Sequence, residues 1–363
     1  MKFEKVLTDD PIKEMWNRLD ILSTISGAKK FLKERINEDS EISEEILEDK
    51  AKGIAFCIRS AREFFQTEID HNMSTASISF YYGTFNFLSA LLLADIENNY
   101  TLKDIEKFSS YGHGFKLFNN TDEEKILKRD NLIVNSNGFF YKFLKELNYD
   151  ENLISMQGKY YSLEEVEEEE KYKIIDIKEL ISRIPELRNT FIEIFNEQPL
   201  YLNLNCRYNL TDQELFVKFP FDKNSPYLSD EDIYQILDWP NDIELSQKIE
   251  TSRLKIITRD KINKNIIPDK KELHKSVLCY DCYIKPLLGI EDIFLIYFMF
   301  LYVLSIWTRY RPNLWREIVE GRFDIYRPLI TKFLTSSERI LPNIFLNKIY
   351  NRRFLFTGHS YLG

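Results

Sequence analysis

The sequence predicts a mainly α fold, α+β in class: a helical bundle with a small β-containing insertion in its middle. Three observations lead there. Gly and Pro number only 11 each in 363 residues, so turn punctuation is sparse and long helices are favoured over a turn-dense β fold. Apolar residues recur at helical spacing through the first hundred and the last seventy residues. Between them, short alternating runs rich in β-formers replace that period. A 44% hydrophobic and 29% charged composition, with 27 Phe and 21 Tyr, is that of an ordinary globular chain with ample material for a core.

In chain order, Pro11 stands where a helix's first turn tolerates it, and Trp16, Leu19 and Leu22 follow at helical spacing. A second helix is predicted over 26–36. The acidic stretch 38–49 reads as a solvated loop or the start of a third helix, whose apolar face is Ile54, Cys57, Ile58, Ala61 and Phe65. The fourth, over 74–98, is the strongest. Ile78, Tyr82, Phe85, Ser89 and Leu92 form one stripe and Phe80, Phe87 and Leu91 another, so apolar residues surround it and it belongs at the centre of the bundle. Thr101 with Asp104 marks the capped start of a short helix.

From Asn131 the texture changes. Residues 132–134 and 139–143 flank Asn-Ser-Asn-Gly as two strands around a turn, or as a strand followed by a helix. The acidic run 164–170 reads as a solvated face or loop, and 173–195 returns to helical spacing. Strands are predicted over 200–208, 215–219 and 254–258, with 277–284 weaker. Helices resume over 290–309, 314–320, 326–334 and 340–350. The corresponding regions are 1–130 helical, 131–285 mixed, and 286–363 helical and packed on the first.

The net charge of −9 excludes a general attraction to nucleic acid or anionic membrane. It is unevenly spread. From Arg309 onward, ten Lys and Arg meet four Asp and Glu, a +6 tail on a −15 body. Such a tail binds phosphate or an acidic partner, unless its arginines pair with acids within the fold. Residues 253–275 add eight Lys and Arg against three acids. The uncharged run 293–307 is fifteen residues long, short of a bilayer span, and reads as a buried helix. With no signal-peptide pattern at the N-terminus, a cytoplasmic protein without a membrane partner is expected.

Two stretches carry a family resemblance. One is Ser79-Phe-Tyr-Tyr-Gly-Thr-Phe-Asn-Phe-Leu-Ser-Ala-Leu-Leu-Leu-Ala94, followed by His113-Gly114; the other is Leu304-Ser-Ile-Trp-Thr-Arg-Tyr-Arg-Pro-Asn-Leu-Trp315. An aromatic helix, a later His-Gly, and Arg-Tyr-x-Pro-x-x-Trp after a long apolar helix resemble the YaaC-like family. That resemblance implies a fold and brings no reaction with it. Tyr81-Tyr82, Phe85, Ala90, Leu91 and Leu92 are also similar to the core helix of HEPN domains. This likeness implies a module that binds a protein partner or nucleic acid, in phage defence or a stress response, and often as a homodimer. Its catalytic members use an Arg and a His a few residues apart to cleave RNA without metal.

Here the pattern departs from those members, because no Arg shortly precedes His113. Arg353 and His359 have the closer spacing, but 354–358 reads as an extended segment rather than a helix. The candidate catalytic residues are therefore His113, Arg353 and His359. Gly112 and Gly114 permit a loop with positive φ around His113. With Tyr82, Asn86, Arg309, Arg311 and Trp315 they form the candidate binding set. Cys279-x-x-Cys282 is half a zinc site, with Cys206 and His274 at irregular distance, so neither a metal nor a cofactor is expected. No phosphate-binding glycine loop, nucleophile elbow or His-Glu-x-x-His is present.

Overall fold

A helix that is apolar on every side must be buried over most of its surface, and Met73–Ala94 is. The computed structural model describes residues 2–36, 42–66, 72–118, 130–158, 160–209, 214–218, 244–248, 253–257, 274–275 and 281–357. They fall into two units, one formed by Met1–Ile177 with Tyr297–Gly363, the other by Lys178–Ile296.

In the first unit, strand β1 (Lys2–Leu7) leads into helices α1 (Pro11–Leu19), α2 (Ile25–Lys33), α3 (Glu44–Phe65), α4 (Met73–Ala94) and α5 (Leu102–Ser110). Their starts are written in the sequence. The side chains of Asp10, Thr24, Ser43 and Asn72 each accept a backbone N–H of the following turn, and Thr101 with Asp104 forms the expected capping box. Helix α4 pairs four of its small polar side chains within itself. Ser77, Thr84, Asn86 and Ser89 all donate to the carbonyl four residues back.

Two helices close over it. Helix α3 packs along one side, where Gly83 lets the Phe65 ring approach: a Cβ there would lie 2.6 Å from it. Phe65 stacks on Phe80 and Phe87, and Phe87 stacks on Phe345 at 4.3 Å. Helix α4 ends at Ala94, earlier than its apolar run suggests. There the buried Lys50 ammonium donates to the Asp95 carbonyl and to Asn98 Oδ1, both at 2.9 Å, satisfying carbonyls left over at the helix end. Burial pulls the Lys50 pKa down to about 8.

A small sheet follows α5. Strand β2 (Phe115–Phe118) is antiparallel to β3 (Asn131–Asn135), which also pairs with β4 (Ser155–Met156) and β5 (Ile175–Asp176). The run 139–143 is helical, as α6 (Phe139–Glu146), because Gly138 at φ +87° turns the chain out of β3. The short helix α7 (Glu151–Ile154) leads into β4.

Later in the chain come α10 (Ile293–Tyr310), α11 (Pro312–Glu320), α12 (Arg327–Tyr350) and the last strand, β12 (Arg352–Thr357). The two helices predicted over 326–350 are one. Pro342 sits inside α12, where it forfeits one hydrogen bond without ending the helix. Strand β12 runs parallel to β1, from Lys2↔Arg352 to Leu7↔Thr357.

The second unit holds the predicted small sheet. Six antiparallel strands lie in the order β10-β11-β6-β7-β9-β8. They are β6 (Tyr201–Asn209), β7 (Glu214–Lys218), β8 (Glu244–Lys248), β9 (Arg253–Ile257), β10 (His274–Lys275) and β11 (Asp281–Ile284). The helical run expected over 173–195 is broken into α8 (Ile177–Ile181), a 3-10 turn at Pro185 and α9 (Arg188–Phe195). In this unit the buried Arg183 donates to the carbonyls of Glu179, Lys285 and Pro286 and to Glu179 Oε1, at 2.7–3.2 Å.

Helices α4 and α10 are long and apolar enough to cross a membrane by length and composition, and most of each is buried within the protein.

Candidate functional site

The loop after α5 is built around two glycines. Gly112 and Gly114 have φ of +94° and +89°, a backbone region that other residues enter only with strain. A Cβ on Gly114 would come within 2.9 Å of the Phe140 nitrogen. This tight path presents the Gly112 and His113 carbonyls to the N–H groups of Phe139 and Phe140, both at 3.1 Å. Asn135 N–H also reaches the Gly114 carbonyl at 2.9 Å. The loop thus caps the start of α6 and adds to the edge of β3.

With its backbone anchored, the loop holds the His113 imidazole in a nest of rings. Tyr81 meets it edge to face at 5.4 Å, Phe85 at 6.0 Å and Tyr82 at 6.3 Å, all from α4, and Tyr302 of α10 lies at 6.4 Å. Tyr302 hydroxyl in turn donates to the Phe115 carbonyl at 3.2 Å.

Arg309 completes the cluster. At the next-to-last position of α10, its Nε donates to the Ser305 carbonyl, one terminal nitrogen donates to Ser305 Oγ, and the other to Tyr82 hydroxyl at 3.0 Å. Its guanidinium also lies against the rings of Tyr82 and Tyr310, at 5.7 and 5.0 Å. Burial, helped by the Arg309 charge, holds the His113 pKa below its ordinary 6.5. The imidazole is therefore neutral at pH 7 and beside a fixed cation. Such a pair can exchange a proton at the imidazole and steady an anion at the guanidinium.

Two buried side-chain atoms among the described residues lack a hydrogen-bond partner, Tyr81 hydroxyl and His113 Nδ1. Both belong to this cluster. Burial, reinforced by Tyr302 and Tyr82, keeps the Tyr81 phenol protonated far above its usual range.

The remaining sequence candidates lie elsewhere or serve the fold. Arg311 pairs with the buried Asp130, which also accepts from Trp307 Nε1 at 2.6 Å. Trp315 Nε1 donates to Ser74 Oγ at 2.7 Å, fastening α11 to the start of α4. Asn86 is spent on its own helix, at the Tyr82 carbonyl. Arg353 sits in β12 opposite Phe3 of β1 and is buried there. His359 lies outside the described residues. Tyr81, Tyr302 and Ser305 were missed from sequence, although Tyr81 adjoins Tyr82 in an otherwise apolar helix.

Four cations of the basic tail are paired within the fold, two of them with acids of the tail itself. Arg311, Arg316, Arg322 and Arg352 make ion pairs with Asp130, Glu320, Glu317 and Glu4. Arg309, in contrast, pairs with no carboxylate among the described residues. In the second unit, His274 Nε2 is 3.0 Å from Glu186 Oε1, and Cys282 is buried opposite His274 in the β10–β11 pair. Among the described residues no group of three His, Cys, Asp or Glu could hold a metal. Cys279 falls outside them.

The depressed His113 pKa carries a sign. The unfolded chain takes up a proton below pH 6.5 while the folded one still resists it, so stability is full above 6.5 and declines as pH falls. A His113→Gln variant is expected to show a shallower loss of stability over that acid range. Urea titrations at a series of pH values measure it, and identical slopes for the two proteins would refute the assignment.

Among known families, the one described as YaaC-like protein matches residues 20–349, which span all the helices of the bundle from α2 to α12. No curated protein and no solved structure matches the chain. The match covers nearly the whole chain and includes both stretches that shape the His113–Arg309 cluster: the protein belongs to the YaaC-like family.

Proposed function

We propose that this YaaC-like protein is a HEPN-like binding module for nucleic acid, RNA foremost, and that the His113–Arg309 cluster is its contact point. It works in the cytoplasm, in phage defence or a stress response. One observation carries the reading. Among the described residues Arg309 is held by hydroxyl and carbonyl oxygens, and no carboxylate there cancels its charge. Of five guanidinium donors, these bonds use three. Phosphate is the natural ligand for a planar cation with donors to spare.

Fluorescence anisotropy with a labelled single-stranded RNA at low salt tests it. Arg309→Ala is expected to weaken binding about tenfold and to lower the salt slope by about one. Absence of binding by the wild type at low salt, where phosphate-driven affinity is greatest, would remove nucleic acid and leave a protein partner as the module's target.

A second reading, an RNA-cleaving effector, is favoured by the neutral imidazole beside the guanidinium. Arg309 supplies in space the cation that is missing before His113 in sequence. Incubation with total RNA in a chelator, beside His113→Ala and His359→Ala, decides it. No cleavage by the wild type at high concentration rejects catalysis and leaves binding untouched.

A further inference from the structure

Buried polar groups in folded proteins are almost always paired, and an exception calls for a missing partner. Here the two exceptions among the described residues, Tyr81 hydroxyl and His113 Nδ1, fall on side chains whose rings are in contact. Tyr81 is 0% exposed, so bulk water does not serve its hydroxyl. The same hydroxyl lies within the electrostatic reach of Arg309, Tyr82 and Tyr302.

From this coincidence we propose that Tyr81, His113 and Arg309 form a built site for a small tetrahedral oxyanion, a phosphate group. The inference rests on the cluster being the binding site proposed above and adds its ligand chemistry and its innermost donor. An oxyanion is the guest that satisfies all three at once. It accepts from the phenol O–H, from the imidazole in the tautomer protonated on Nδ1, and from the unspent guanidinium N–H groups. The phenol stays protonated as a donor, and no carboxylate is among the cluster's described partners to repel the charge. Tyr82 keeps its hydroxyl on Arg309, so it positions the guanidinium rather than the ligand.

The phosphate has two possible sources, a free phosphate monoester or the backbone of a nucleic acid, and one set of measurements separates them. Isothermal titration of the full chain in phosphate-free buffer uses inorganic phosphate, adenosine 5′-monophosphate and a single-stranded RNA as probes. Inorganic phosphate is expected to bind the wild type, and Tyr81→Phe to weaken it at least about fivefold. The same variant, freed of an unpaired hydroxyl, is expected to melt at or above the wild-type temperature without phosphate. As a second readout, phosphate should move the His113 NMR titration midpoint upward, because a bound anion favours the imidazolium.

No phosphate binding by the wild type, or equal binding by Tyr81→Phe with an unmoved His113 midpoint, overturns the proposal. Should phosphate bind while RNA does not, the oxyanion site stands and the nucleic-acid reading fails. Should RNA bind through Arg309 while phosphate leaves His113 unmoved, the reverse holds. Competition of phosphate with RNA for His113 identifies the nucleic-acid backbone as the source. Preference for the monophosphate, without such competition, identifies a free monoester.

Discussion

Replacing Arg183 with Met is expected to lower the stability of the Lys178–Ile296 unit by about 3–5 kcal/mol. The side chain is 1% exposed, and its guanidinium ties the end of α8 to the segment that follows β11 through the carbonyls of Glu179, Lys285 and Pro286. Burial lowers its pKa without neutralising it, so a charge is present and is offset only by these oxygens and by Glu179. A Met side chain fills much of the volume but leaves three partly buried carbonyls without donors, each costing about 1 kcal/mol. Arg183→Lys keeps the charge and loses the fork, so its loss should be intermediate. Hydrogen exchange over residues 178–205 and urea unfolding read the effect. A Met variant within 1 kcal/mol of wild type would show that the carbonyls find other partners.

Truncating Trp307 should cost the first unit a similar amount, about 3–5 kcal/mol for Trp307→Ala. The ring is fully buried, and its Nε1–H is one of the two groups that hold the buried Asp130 carboxylate. Burial raises the Asp130 pKa although Arg311 and Trp307 oppose the shift, so losing either partner leaves a poorly compensated acid. Trp307→Phe separates the two contributions. It retains most of the packing and loses the hydrogen bond, for about 1–3 kcal/mol. Equal losses for the Ala and Phe variants would assign the whole effect to the carboxylate contact.

Local physics made most of the helical fold legible. Apolar period placed α1 through α4, the Thr101–Asp104 pair placed α5, and the uncharged run placed α10, because those signals lie within one or two turns of sequence. The pairing of β1 with β12 was a different case, although the run 354–358 already reads as extended. Each strand is stabilised by the other from 350 residues away, and neither has a hairpin partner nearby to announce it. The gap expected between 334 and 340 is helical as well, within α12.

The site divides in the same way. His113 with its flanking glycines and Arg309 were each visible as candidates, the first from loop chemistry and the second from the family-like motif. Their meeting was not visible, because it depends on how α10 crosses α4. The short spacing of Arg353 and His359 in turn was no guide to proximity with His113, since Arg353 belongs to the β1–β12 pair. Tyr81 stayed hidden because a phenol in an apolar helix reads as core until its hydroxyl is found without a partner.

The division of the chain has a consequence for its synthesis. Helix α4 is made early, but α12, which supplies Phe345 to its core, and β12, which completes β1, follow the entire second unit. At typical translation speeds of 5–20 residues per second, the stretch from Ile177 to β12 takes roughly 10–35 s to emerge. Through that interval one of the most apolar helices of the protein has α3 on one side but lacks the cover that α12 later supplies. The second unit is continuous in sequence, so its folding does not wait for the later segments.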